Sequence, residues 1–174
     1  SPVEAVAAVR EVRPDAALVV DANQGWSLSQ LEEFAPKLDI LGVKMIEQPL
    51  ARGLDHQLAN FRSPVPLGAD ESVLDLAEYH VNSSNYQVVN IKLDKCGGLT
   101  AALQIVAAAI KDGKTIMVGN MTGTSLSMAP AFVVGQECGF VDIDGPLLLG
   151  EDIKNGLEYL EGGKVMPPSS LLWG

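Results

Sequence analysis

With 174 residues, 47% hydrophobic and 20% charged, the chain has the composition of a globular protein large enough to bury a sizeable core, which excludes disorder and low complexity. Twelve Lys and Arg against twenty-two Asp and Glu leave a formal net charge of −10. A surface of that sign repels phosphate backbones and anionic lipid heads, so neither nucleic acid nor a membrane is expected as a partner.

The first residues read as a helix, with Val3, Val6, Ala7 and Val9 on one face. Short apolar runs then alternate with helical stretches. The runs predicted as strands cover residues 17–21, 43–47, 65–70, 88–92, 115–119 and 140–144. The predicted helices cover 28–40, which Ser27 can cap, then 55–61, 73–81, the Ala-rich 99–111 closed by Asp112-Gly113, and 125–138 ended by Gly139. The tail from Gly162 to Gly174 reads as irregular. Continuously apolar runs of about 5 residues suit parallel strands covered on both faces.

A repeated βα unit builds either a doubly wound sheet or a closed barrel. Gly-x-Gly-x-x-Gly and Walker sequences are absent, and polar residues recur at strand end after strand end instead. The expectation is an α/β chain forming a parallel (β/α) TIM-type barrel, here about six strands of the eight that close one.

Asp21, Glu47 and Asp70 each close a predicted strand, at spacings of 26 and 23 residues, about one βα unit apiece. In a parallel barrel they come from three neighbouring strands, and like charges brought together raise one another's pKa unless a cation neutralises them. Hard oxygen donors without His or Cys select Mg²⁺ or Mn²⁺ over Zn²⁺. The competing reading is that each acid caps the following helix, which suits Asp better than Glu. Pro49 is expected to hold Gln48 extended and so to delay any helix after Glu47.

Lys92 ends the fourth run, 22 residues after Asp70. A lysine at a buried strand end beside a divalent cation is tuned toward general acid/base work. A solvated lysine, or one paired with Asp94, is the alternative. Lys95 competes for the role but falls in the turn with Cys96-Gly97-Gly98. Cys96 and Cys138 lack the paired short spacing of a zinc or disulfide framework and read as reduced structural thiols. His56 and His80 read as surface residues, and Trp26 as a core or rim aromatic. No apolar run approaches the roughly 20 residues of a bilayer-crossing helix, and no secretion signal is visible, so a cytoplasmic location is expected.

Four motifs in order, Asp-Ala-Asn-Gln-Gly-Trp from Asp21, Ile-Glu-Gln-Pro-Leu from Ile46, Gly-Ala-Asp-Glu-Ser from Gly68 and Asn-Ile-Lys-Leu-x-Lys-x-Gly-Gly from Asn90, resemble the barrel domain of the enolase superfamily in its muconate-lactonising-enzyme branch. The resemblance runs over almost the whole chain. It implies that Asp21, Glu47 and Asp70 ligate Mg²⁺, that Lys92 is an acid/base lysine, and that Asn23 and Glu71 support the metal site and the lysine. Asp142 and Asp144, alternating along the last predicted strand, form an acidic pair similar to the motif by which dipeptide epimerases of the family hold the substrate's α-ammonium; an exposed acidic turn before Gly145-Pro146 is the alternative. Asn120, Thr122 and the helix N-terminus at Ser125 are placed to meet a substrate carboxylate.

The activity so implied is Mg²⁺-dependent inversion of a dipeptide α-carbon through an enediolate, on a small-molecule substrate. Muconate cycloisomerisation, o-succinylbenzoate synthesis and N-acylamino acid racemisation are the rival reactions of the branch, and a catalytically silent metal-binding module is the rival of another class. The chain departs from the family in three ways. No Lys-x-Lys motif for a second base precedes Asp21, no capping domain is present, and residues 120–125 lack the acid the family often carries there. Residues 1–174 are therefore expected to be the C-terminal portion of a barrel domain without its first two strands, with little activity alone. Oligomeric state is left open, a homo-oligomer included.

Overall fold

A computed structural model describes residues 1–174. The helices are α1 (Pro2–Val12), α2 (Leu28–Ile40), α3 (Leu76–Asn82), the short α4 (Leu93–Cys96), α5 (Leu99–Lys111) and α6 (Ser125–Gly135). The strands are β1 (Leu18–Asp21), β2 (Val43–Glu47), β3 (Leu67–Ala69), β4 (Val88–Lys92), β5 (Thr115–Gly119) and β6 (Phe140–Val141), with a separate antiparallel pair β7 (Tyr159–Leu160) and β8 (Lys164–Val165). The first six strands form one sheet in the order β1-β2-β3-β4-β5-β6. A strictly sequential order, with no reversal point, is the order of a (β/α) barrel and not of a doubly wound sheet.

The chain divides into two compact units, Ser1–Val73 with Ala77–Val89, and Leu74–Leu76 with Asn90–Gly174. In the first, β1 pairs with β2 and β2 with β3, all parallel. The capping expected of Ser27 is present as a capping box with Gln30. α2 buries Leu31, Ala35 and Leu38, spaced to share one face. Each fully buried leucine contributes about 1.5–3 kcal/mol. In the second unit β5 pairs with β6 in parallel, and α5 buries Ala102, Ile105, Val106 and Ala109, again a single helical face.

Several boundaries differ from those read in the sequence. Residues 55–60 form a 3₁₀ helix and not an α-helix. α3 starts only at Leu76, after a turn in which the Val73 N–H donates to the Asp70 carbonyl at 3.1 Å. β6 stops at Val141, where a strand to Asp144 is expected. Its ladder continues by one bond, from the Asp142 N–H to the Val118 carbonyl at 2.9 Å, before Gly145-Pro146 open a 3₁₀ turn. The tail read as irregular contains β8. No helix is long and apolar enough to cross a membrane, and both cysteines are free thiols.

Candidate active site

In the first unit the parallel ladder aligns Asp21 with Glu47 and Glu47 with Gly68. Residues in register across parallel strands point to the same side. Asp70 lies two positions past Gly68, so by alternation all three acids belong to one side of neighbouring strand ends. Glu47 and Asp70 are buried and Asp21 is exposed. The loops beyond the strands stay zipped together: the N–H groups of Ala22, Gln24 and Trp26 donate to the carbonyls of Glu47, Gln48 and Pro49 at 3.0, 2.7 and 2.9 Å.

Asp21 also accepts from the Asn23 N–H at 2.7 Å in a local turn. Asn23 takes φ 43° there, a left-handed conformation that Asn tolerates. Asn23 thus shapes the Asp21 loop through its backbone. Glu71 is half-buried, and its Oε2 is sealed from solvent with no hydrogen-bond partner.

Gln48 is not extended. Its φ is +32°, contrary to the effect expected of the following proline, and its side chain is completely buried. Gln48 Oε1 accepts from the Asp70 and Ser72 N–H groups at 2.9 and 3.1 Å, while Nε2 donates to the Leu50 carbonyl and Ser72 Oγ at 3.0 and 2.9 Å. The bonds of this one side chain outweigh the local preference of a residue before proline. The motif Ile-Glu-Gln-Pro-Leu displayed Gln48 openly, but a polar residue between a strand and a proline carries no mark of burial.

In the second unit Lys92 ends β4, half-buried, on the same side of the strand as Asn90. Lys95 lies within α4 beyond the strand end. Gly119, closing β5, leaves the space these two side chains occupy: a Cβ there would come within 2.7 Å of Asn90 Oδ1 and 3.0 Å of Lys92 Cε. Asn120, the next residue, donates from Nδ2 to the Asp142 carbonyl at 2.8 Å and to Asp142 Oδ1 at 3.2 Å. Thr122 is exposed on the same loop.

Asp142 and Asp144 are exposed on either side of buried Ile143, so the alternation outlasts the strand. The Asp142 carboxyl is raised above its ordinary value, first by lost solvation and then by the Asp144 charge, with Lys92 pulling the other way.

The helix N-terminus expected to meet a substrate is already engaged. The Ser125 N–H donates to Asp152 Oδ1 at 2.9 Å, and Ser125 Oγ donates to Asp152 Oδ2. Ser125 Oγ also accepts from the Leu157 N–H at 2.7 Å. Asp152 therefore caps α6 from 27 residues away, leaving Asn120 and Thr122 as the ligand-facing candidates of this loop.

The three strand-end acids fit a divalent cation by donor chemistry and by register, and the orphaned carboxylate oxygen of Glu71 next to Asp70 marks a place where positive charge is wanted. No three His, Cys, Asp or Glu side chains are gathered tightly enough to hold an ion as they stand.

A family model described as enolase C-terminal domain-like matches residues 1–170. The chain is 46% identical to N-acetyl-D-glutamate racemase of a Pseudoalteromonas species, over 96% of this chain and 53% of that protein. It superimposes with a TM-score of 0.93, at 47% identity, on an enolase family member of Agrobacterium tumefaciens with homology to dipeptide epimerases, crystallised with sodium and L-Ala-L-Glu, covering 97% of this chain and 52% of that one. A dipeptide epimerase of Cytophaga hutchinsonii, complexed with Mg and D-Ala-L-Val, matches with a TM-score of 0.90 at 28% identity, over 96% of this chain and 48% of that one. The chain spans about half the length of each of these proteins. With its sequential parallel strands, its registered strand-end acids and a match over nearly its entire length, the chain belongs to the enolase C-terminal domain-like family, in the mandelate racemase and muconate lactonizing enzyme branch.

Proposed function

We propose that the protein carrying this chain epimerises the α-carbon of a dipeptide, with residues 1–174 as the C-terminal portion of its barrel domain. The observation that carries this reading is the pair Asp142 and Asp144, two exposed carboxylates on either side of buried Ile143 just past β6, where lost solvation and the Asp144 charge both raise Asp142. Such a pair is costly until a cation stands between its members, and the free ammonium of a dipeptide is such a cation.

Asp21, Glu47 and Asp70 would hold Mg²⁺, with Mn²⁺ as a substitute of the same donor preference. A bound ion would supply Lewis-acid charge to a substrate carboxylate as the α-proton is removed. Lys92, as the neutral amine, takes that proton at Nζ as the Cα–H bond breaks. Inversion requires that a proton return to the opposite face from a second acid/base group, which in this proposal belongs to the protein carrying the chain and not to residues 1–174. Asn120 holds Asp142 in place for the ammonium, and Glu71 adds negative charge beside Asp70.

The 46% identical relative named for N-acetyl-D-glutamate favours a second reading: racemisation of an N-acylated amino acid, which carries no ammonium. Exchange of the α-proton in D₂O, followed by NMR on L-Ala-L-Glu and on N-acetyl-glutamate with the full-length protein and Mg²⁺, separates the two. Exchange with inversion on the dipeptide, abolished by Asp142→Asn together with Asp144→Asn, is the expected result. Turnover of N-acetyl-glutamate untouched by that double change establishes the racemase. A folded, Mg²⁺-loaded protein that exchanges neither, nor any cycloisomerase or synthase substrate of the branch, is a silent module.

A further inference from the structure

Gln48 has a conformation and a set of contacts that its neighbours do not explain. A non-glycine residue at positive φ costs about 1–3 kcal/mol and persists only where its surroundings over-determine it, and here φ is +32° directly before a proline. The surroundings are a saturated buried amide. Its oxygen takes two backbone N–H groups, those of Asp70 and Ser72, and its nitrogen serves the Leu50 carbonyl and Ser72 Oγ, with Tyr86 Oη a further acceptor at 3.4 Å. Two backbone donors on one oxygen leave a single orientation for the amide.

The main chain of Gln48 is occupied as well. Its N–H donates to the Gly68 carbonyl at 2.8 Å, and its carbonyl accepts from the Gln24 N–H at 2.7 Å. One residue thus ties together the ends of β1, β2 and β3, the three strands that carry the candidate metal ligands. It follows Glu47 in the chain, grips the backbone of Asp70 through its side chain, and holds the loop after Asp21 through its carbonyl.

We propose that Gln48 is a positioning residue, a buried strut that sets where the Asp70 carboxylate stands relative to Glu47 and so tunes the affinity of the cation site. The proposal rests on the reading of Asp21, Glu47 and Asp70 as metal ligands. Gln48 touches no substrate and moves no proton. Without its amide oxygen the Asp70 N–H loses its partner, and the first residue of the loop after β3 is free to turn its side chain away. Outer residues that orient metal ligands typically change metal affinity by about 10–100-fold.

The test uses the full-length protein, Mn²⁺ as the probe read by electron paramagnetic resonance, and backbone amide hydrogen exchange at positions 70 and 72. Gln48→Met keeps the volume and removes every side-chain hydrogen bond. The expected result is faster exchange at both amides and an Mn²⁺ dissociation constant raised by about 10–100-fold. Should that variant not fold, Ser72→Ala removes one of the two hydroxyl partners of Gln48 Nε2 and leaves Tyr86 Oη as the other, and about a fivefold weaker Mn²⁺ affinity is expected from one lost hydrogen bond.

Glu47→Gln distinguishes the two levels of the argument. If it abolishes Mn²⁺ binding while the Gln48 or Ser72 variant binds Mn²⁺ as the parent does, the positioning role is wrong and the metal site stands. If Glu47→Gln binds Mn²⁺ as tightly as the parent, the ligand assignment is at fault and the positioning role falls with it.

Discussion

The Asn120 side-chain amide donates simultaneously to the backbone carbonyl and to the carboxylate of Asp142, at 2.8 and 3.2 Å. This two-point grip joins the residue after β5 to the first residue after β6. It also stabilises the charged form of a carboxyl that loss of solvation and Asp144 push the other way. Asn120→Ala is therefore expected to raise Asp142 further and to weaken capture of an ammonium. A hydrogen bond to a charged group contributes about 1.5–3 kcal/mol, so KM for a dipeptide should rise about tenfold or more, with kcat changing less. Steady-state kinetics on L-Ala-L-Glu would measure both, and a change in kcat alone would mean that Asn120 acts on the reacting carbon instead.

Asp144→Asn tests the electrostatic coupling directly. In the parent, Asp142 is raised, so the folded state binds more protons than the unfolded one between the unfolded pKa of about 3.9 and the raised folded value. Stability accordingly falls as pH rises through that window and stays at the lower level above it. Removing the Asp144 charge brings Asp142 down toward its ordinary value. The variant should gain stability relative to the parent at neutral pH, with the gain vanishing below about pH 4. Urea denaturation at pH 3 and pH 7, with ¹³C NMR titration of the Asp142 carboxyl, would show it; an unmoved Asp142 would mean that the two carboxylates do not interact.

Strands with strong local pattern were legible in the sequence. The bounds of β2, β4 and β5 coincide with the apolar runs, because each is a β-branched segment whose burial decides its conformation without distant help. The same runs carried Glu47 and Lys92 to their strand ends, and the spacing of one βα unit carried Asp21 to the end of β1 and Asp70 to the residue just past β3, a strand of Leu67–Ala69 where 65–70 is expected. What escaped the sequence was set by contacts between distant residues. Gln48 obeys Asp70, Leu50 and Ser72 in place of the local rule for a residue before proline. Asp152 caps a helix that begins at Ser125, and nothing in the local sequence links the two. The exposure alternation of residues 142–144 reads as strand, yet Gly145-Pro146 turn the chain before the ladder can extend past Asp142.

Gly119 offers a test of Lys92 that leaves the lysine itself in place. A Cβ at this position would stand 2.7 and 2.8 Å from the two amide atoms of Asn90 and 3.0 Å from Lys92 Cε. The methyl group of Gly119→Ala must therefore displace the buried Asn90 amide and crowd the lysine stem beside it. A misplacement of about 1 Å can cost roughly a hundredfold in rate. The variant is expected to lose about that factor in α-proton exchange while retaining the Mn²⁺ affinity of the parent. Parent-like exchange would remove Lys92 Cε from the reacting geometry.

Asp152 governs the loop from the opposite direction. Ser125 is completely buried, and both its N–H and its hydroxyl donate to the Asp152 carboxylate. Asp152→Ala orphans both donors, and a buried unsatisfied group costs about 1–3 kcal/mol. Burial pushes the Asp152 carboxyl up, but the Ser125 hydrogen bonds outweigh it and hold the group below its ordinary value. A carboxyl lowered in the folded state contributes stability that is present above the unfolded pKa of about 3.9 and is lost as pH falls through the folded value. The parent should therefore lose this increment on acidification below about pH 4, whereas Asp152→Ala, lacking it at every pH, should be less stable at neutral pH and converge on the parent in acid. Chemical denaturation across pH 2–7 would trace the two curves. Parallel curves that never converge would show that the destabilisation comes from lost packing against Gly156 and not from the ionised cap.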